Sequence, residues 1–236
     1  MDINVIIDGK EVEVNSLQIN LKTTVQPSSI GFPSDVLDLS NWKLTLPINI
    51  AKEILQPELK TTKIEPYFTL NTEKTAVQFR APCGGDTTSN SSYPRSELRE
   101  MNGSSKASWS TTSGKHTLVT KQAITSFPPI KPQVVCAQIH DDKDDIIEVL
   151  YDGKRGNPGA IAVRFNGKTQ NTLLDDTYQI GTIFALKIEA ANGYINIYYN
   201  DIKKLFLAKV GSKMYFKAGC YTQSNVSNPA CNEAPP

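Results

Sequence analysis

Apolar and polar residues alternate in short runs along most of this chain, the two-residue period of strands that bury one face. Tyr67-Phe68-Thr69-Leu70, Ala76 to Ala81, His116 to Thr125, Gln133 to His140, Ile146 to Tyr151, Ile161 to Phe165, Phe184 to Glu189 and Tyr194 to Tyr199 have strand length and β-prone composition. Asp152-Gly153, Asn166-Gly167 and Asn192-Gly193 fall between such runs and suit tight hairpin turns. One short helical turn is expected at Ala51 to Leu55, ended by Pro57. There is no βαβ alternation and no solenoid repeat. The expected fold is all-β, a sandwich or jelly roll of two antiparallel sheets.

Two organisational units are expected. Residues 1–34 read as a hairpin, Val5-Ile6-Ile7 and Val12-Glu13-Val14 around Asp8-Gly9, followed by a Pro- and Ser-rich linker from Gln26 to Ser34. Residues 35–236 read as the main body, opening on Leu37 to Pro47 with Trp42 as an aromatic anchor. Cys83 to Ser92 is a small polar loop, and Asp141 to Asp145 an acidic one with solvated charge as its first reading and a calcium site as its second.

Composition narrows the function classes. A formal net charge of +1 excludes a globally basic nucleic-acid binder but leaves room for a local basic cleft. No apolar run approaches the ~20 residues that cross a bilayer, so no membrane partner is expected. Four cysteines without a CxxC pair and two histidines do not suggest a zinc cage, and neither metal nor cofactor is expected. Met1-Asp2-Ile3-Asn4 shows no signal-peptide pattern. With sequons at Asn90, Asn102 and Asn225, the expectation is a secreted monomer whose signal peptide is absent from this chain.

Alternation also sorts the polar residues. In Arg95-Ser96-Glu97-Leu98-Arg99-Glu100, the residues Arg95, Glu97 and Arg99 share one strand face. Gln138 and His140 share a face with Ile139 opposed. In Tyr215 to Gln223, the residues Tyr215, Lys217, Gly219, Tyr221 and Gln223 share a face while Phe216, Ala218 and Cys220 turn to the core. Each strand alone suits a solvated surface. Three such faces together suit an open groove, since buried unpaired charge is too costly for a second core. Arginine forks match carboxylates, so the groove suits an anionic ligand.

These blocks, Arg95-Ser96-Glu97-Leu98-Arg99, Gln138-Ile139-His140 and Tyr215 to Gln223, resemble in order and spacing the signature blocks of the alginate lyases of polysaccharide lyase family 7. Leu39-Ser40-Asn41-Trp42-Lys43-Leu44-Thr45-Leu46-Pro47 resembles that family's usual domain start, and Cys220 departs from its commoner residues. The resemblance spans roughly Val36 to Gln223. It implies a β-jelly roll with a concave substrate groove, alginate as the ligand, and β-elimination leaving an unsaturated uronate.

It further implies Tyr221 as acid, also base in syn elimination of mannuronate, and His140 as base in anti elimination of guluronate. Arg95 and Gln138 suit neutralisation of the reacting carboxylate. Arg99, Lys217 and Gln223 are candidate subsite contacts, followed by Arg80 and Tyr215. Glu97 is expected to orient an arginine. Ile139 between Gln138 and His140 resembles members that accept guluronate. The alternatives are the same chemistry on another polyuronate such as glucuronan, and a non-catalytic jelly roll that binds acidic glycans. Closeness along the chain suggests the disulfides Cys220–Cys231 and Cys83–Cys136.

Overall fold

The structure, a computed structural model, describes residues 4–8, 30–154 and 156–228. Strands numbered in chain order form two antiparallel sheets. The first runs β15 (Ile202–Ala208), β14 (Tyr194–Tyr199), β13 (Phe184–Ala191), β8 (Lys115–Ile124), β1 (Asn4–Asp8), β5 (Ala76–Arg80), β4 (Phe68–Leu70). The second runs β12 (Gln170–Tyr178), β11 (Gly159–Phe165), β10 (Asp145–Asp152), β9 (Gln133–His140), β16 (Tyr215–Thr222), β6 (Arg95–Asn102), β2 (Trp42–Thr45), β3 (Glu53–Ile54), with β7 (Ser105–Lys106) hung on β6. The expected all-β sandwich is what forms.

The apolar faces meet between the sheets. Along β13, Phe184, Leu186, Ile188 and Ala190 point inward while the alternating positions stay partly exposed. Ile195, Ile197 and Tyr199 do the same on β14. The middle of the second sheet behaves differently. Every residue of β9 except His140 is buried, although Gln138 faces away from the apolar core. Both faces of this strand are covered, one by hydrocarbon and the other by a polar network.

Asn4–Asp8 lies between β5 and β8, pairing with both. The expected hairpin mate Val12-Glu13-Val14 falls outside the described residues. The helical turn expected at Ala51 to Leu55 does not form. Asn49, Ile50 and Ala51 all have positive φ, at 51°, 60° and 54°, and Glu53–Ile54 is a strand paired with β2. The Asp86 carboxylate accepts from Ile50 N at 2.8 Å, and Leu46 N donates to the Lys52 carbonyl at 2.9 Å. These tertiary bonds outweigh local helix preference. The short 3-10 helix Glu58–Thr61 follows instead.

Neither expected disulfide forms, because Cys136 and Cys220 are free and buried. Cys136 turns into the core, accepting from Gln122 Nε2 at 3.4 Å. Cys83 is disulfide-bonded, and the fourth cysteine, Cys231, lies outside the described residues. Proximity along the chain says nothing about which side of a strand a sulfur occupies. Burial pushes the Cys136 thiol up to about 12 and raises Cys220 as well. A thiol reagent is therefore expected to label neither residue in the folded protein and both after denaturation, as peptide mapping would show.

Candidate active site

The register of the second sheet sets polar residues side by side across its strands. Lys43 on β2 pairs with Arg99 on β6. Arg99 pairs with Lys217 on β16, Lys217 with Gln138 on β9, Gln138 with Glu148 on β10, and Glu148 with Arg164 on β11. One transverse row over six strands thus carries three cations, an amide, an acid and a further cation. His140 and Tyr215 form the neighbouring pair on one side of this row. Arg95 and Tyr221 pair further along in the other direction.

Glu97 is the anchor. It is 1 % exposed, and its Oε2 meets Arg95 Nη1 at 3.0 Å and Lys217 Nζ at 2.6 Å. Gln138 Nε2 donates to its Oε1 at 2.5 Å. Burial alone would raise the Glu97 pKa, but Lys217, Arg95 and these hydrogen bonds together hold it below the usual carboxylate value. Lys217 moves to about 8, because burial and the adjacent Arg95 and Arg99 outweigh the attraction of Glu97. Two cations share this one carboxylate, and Arg99 in register with Lys217 adds a third positive charge to the face. Arg95 Nε is buried with no hydrogen-bond partner among the described residues.

His140 Nδ1 lies 2.6 Å from the Asp141 carbonyl. A carbonyl only accepts, so Nδ1 carries the proton and Nε2 keeps its lone pair. Burial, the largest influence, lowers the His140 pKa, and Lys217 adds to it. The ring stacks on Tyr215 at 5.3 Å, and Tyr215 carries the Arg99 guanidinium 3.8 Å from its centroid. Arg99 is also tied to the carbonyls of Glu100 at 2.5 Å and Ala107 at 3.2 Å. The arginine and imidazole are thus clamped by one tyrosine.

Tyr221 is held from both sides. The Arg95 guanidinium carbon is 3.8 Å from its ring centroid, and its hydroxyl is 3.0 Å from Ser91 Oγ. Behind it the strand needs a glycine. Gly219 has φ +139°, and a Cβ there would lie 2.6 Å from the Ser96 carbonyl and 2.9 Å from Glu97 Cα. The β9–β16 register slips at this point, between Ala218 and Tyr221. The irregularity lets β16 press against β6 while Tyr221 stays opposite Arg95.

An open cleft of about 740 Å³ runs over this face. Arg95, Arg99, His140, Tyr215 and Lys217 line it, as does Ser91, the hydrogen-bond partner of the Tyr221 hydroxyl. One wall is the Thr88–Ser91 loop, and the other is the acidic loop from Asp141 to Asp144. Asp142 of that loop pairs with Lys213 at 2.5 Å, while Asp141 Oδ1 accepts from the backbone of Lys143 and Asp144.

Two expected contacts are not brought to the cleft. Arg80 ends β5 in the other sheet, beside Tyr67 and Asp86. Gln223 is buried, its Oε1 accepting from Arg164 Nη2 at 3.0 Å. Strand alternation predicts a face but not the sheet or the neighbours that cover it. Lys43, Ser91 and Glu148 join the site without having been singled out. Alternation over Trp42 to Leu46 signals Lys43, and a lone acid inside the apolar run of β10 signals Glu148. Nothing local marks Ser91.

A jelly roll with a cationic cleft, a neutral imidazole and a positioned phenol defines a protein built to hold and work on a polyanion. The sequence profile described as alginate lyase matches residues 37–234. The chain belongs to this family, the alginate lyases of polysaccharide lyase family 7. It is 52% identical to the solved alginate lyase AlgAT5 of that family, covering 83% of this chain and 89% of that one with a TM-score of 0.79. An alginate lyase from Corynebacterium sp. is 41% identical, with 89% and 92% covered and a TM-score of 0.80. The family 7 lyase A1-II′, solved as a double variant with its substrate GGMG, is 28% identical over 84% of this chain and 90% of that chain, TM-score 0.71.

Proposed function

We propose that this protein cleaves alginate by β-elimination. The observation that carries the reading is Glu97 holding Arg95 and Lys217 together on the cleft floor, flanked by His140 and the Tyr221–Ser91 pair. A uronate carboxylate docks against these cations, whose alignment Glu97 and the Gln138 amide maintain. Its neutralisation makes the C5 proton acidic, because charge develops on the carboxylate as that proton leaves. The C5–H electron pair becomes the C4–C5 double bond, the C4–O4 bond breaks, and O4 leaves with a proton.

His140 Nε2 takes the C5 proton of guluronate, and Tyr221 supplies the proton to O4. For mannuronate, where proton and leaving group share a face, Tyr221 does both. Arg99 and Tyr215 orient the neighbouring sugar, and Lys43 extends the cationic row along the chain of the polymer. Glu97 does not touch the substrate; it positions Arg95, Lys217 and Gln138.

The test is direct. Incubated with alginate, the protein should generate the ultraviolet absorbance of a conjugated unsaturated uronate. Binding of alginate with no absorbance change on any mannuronate or guluronate block would overturn the reading. A rise on glucuronan alone would assign a different polyuronate.

The pH profile follows from the site. His140 must be neutral, and its lowered pKa puts the acid limb of kcat/KM below the ordinary imidazole value of about 6.5. Lys217 must be charged, so activity should fall as pH rises through about 8. Its contribution to stability has the opposite sign. Between about 8 and the ordinary lysine value the unfolded chain binds the extra proton, so stability rises with pH over that window. Lys217→Arg should move the alkaline limb upward, because a guanidinium stays protonated. An unmoved limb would show that Lys217 is not the group responsible.

A further inference from the structure

Aromatic rings and cations also meet away from the cleft, on the outer face of the first sheet. On β14 the inward residues are Ile195, Ile197 and Tyr199, so Tyr194, Asn196 and Tyr198 point out. Tyr198 pairs in register with Lys187 on β13 and Lys203 on β15. Lys187 Nζ is 4.0 Å from the Tyr198 ring centroid and Lys203 Nζ is 5.4 Å from it. Lys203 Nζ is also 5.8 Å from the ring of Phe206, and that ring stacks on Tyr194 at 4.5 Å with 19° between planes. The result is a patch on three strands in which two lysines lie among two tyrosines and a phenylalanine.

These rings are not spare core. Phe206 is 61% exposed and Tyr194 39%. Clustered exposed aromatics on a soluble protein mark a binding surface more often than scattered ones do. The acid on the same face of β13, Glu189, is engaged by Lys115 at 2.7 Å rather than by Lys187.

We propose that this outer face is a second, non-catalytic binding site for polymeric alginate. The proposal rests on alginate being the substrate of the cleft. A polyuronate offers at every sugar what this patch can engage: an apolar C–H face for a ring and a carboxylate for a lysine. A second copy of this chain fits less well. A two-fold contact through this patch would bring four lysines, Lys187 and Lys203 of each copy, into one interface. Alginate held here raises the local concentration of chain at the cleft on the far side of the sandwich, which matters only for polymers long enough to reach both.

The experiment compares the wild type with Phe206→Ala and with Lys203→Glu, both changes at exposed positions, after melting curves have confirmed folding. Turnover of a short oligouronate that fills only the cleft is expected to be unchanged in both. KM for polymeric alginate is expected to rise several-fold. In native gels cast with alginate and saturated with the short oligouronate, the wild type should still be retarded and the variants should run freely. Equal KM on polymer, or loss of wild-type retardation once the cleft is saturated, would overturn the proposal. So would a wild-type dimer in sedimentation that Phe206→Ala makes monomeric, since the patch would then be an interface between copies. Failure of the reading of the cleft looks different: no absorbance change on polymer or oligomer in any of the three proteins.

Discussion

Tyr221→Phe should lower turnover of alginate by about 10²–10⁴-fold, the usual worth of a positioned proton donor, while leaving binding close to wild type. Phenylalanine keeps the ring beneath the Arg95 guanidinium and removes only the hydroxyl that meets Ser91. Loss of that one hydrogen bond costs about 1 kcal/mol of stability, too little to unfold a chain whose Tyr221 is packed with Val135, Leu150 and Ala162. Retardation in an alginate gel alongside a rate assay separates the two effects. Full activity in the variant would remove Tyr221 as the acid. Lost binding together with lost rate would make it a structural residue.

Glu97→Ala should destabilise the fold by about 3–5 kcal/mol, because it strips the shared partner from two buried cations. Glu97→Gln keeps the shape and one acceptor, so it should fold better yet still lose activity as Arg95 and Lys217 lose their alignment. Urea denaturation of both variants beside rate measurements would test this order. The wild-type pH dependence gives a second check. The Glu97 pKa is lowered on folding, so its contribution is present above the unfolded carboxylate pKa and is lost as pH falls through the folded value. The acid limb of stability should therefore change in Glu97→Gln. An unchanged limb, with stability near wild type, would show that Arg95 and Lys217 do not need the carboxylate.

Much of this protein was legible from strand periodicity. Alternation is local, since successive side chains leave a strand on opposite sides whatever the strand packs against. It therefore put Arg95, Glu97 and Arg99 on one face, paired Gln138 with His140, and aligned Tyr215, Lys217 and Tyr221. The same rule misled at Gln223, which keeps its face but is covered by Arg164. Arg80, expected at the groove without help from that rule, sits on a strand of the other sheet. Closeness along the chain misled for the cysteines, as Cys136 and Cys220 are separate thiols packed in the core.

By itself, then, the sequence determined the all-β class, the three polar faces and the residue types able to grip a carboxylate and move a proton. Which faces touch was decided only by tertiary structure. Pairing of β6, β16 and β9 set Glu97 against Lys217 and Gln138, and the glycine-dependent slip at Gly219 kept Tyr221 opposite Arg95. Folding of a distant polar loop brought Ser91 to the phenol. The reason is physical. Side-chain direction follows from one residue's backbone angles, whereas charge pairing, burial and the resulting pKa shifts depend on neighbours tens of residues away in the chain.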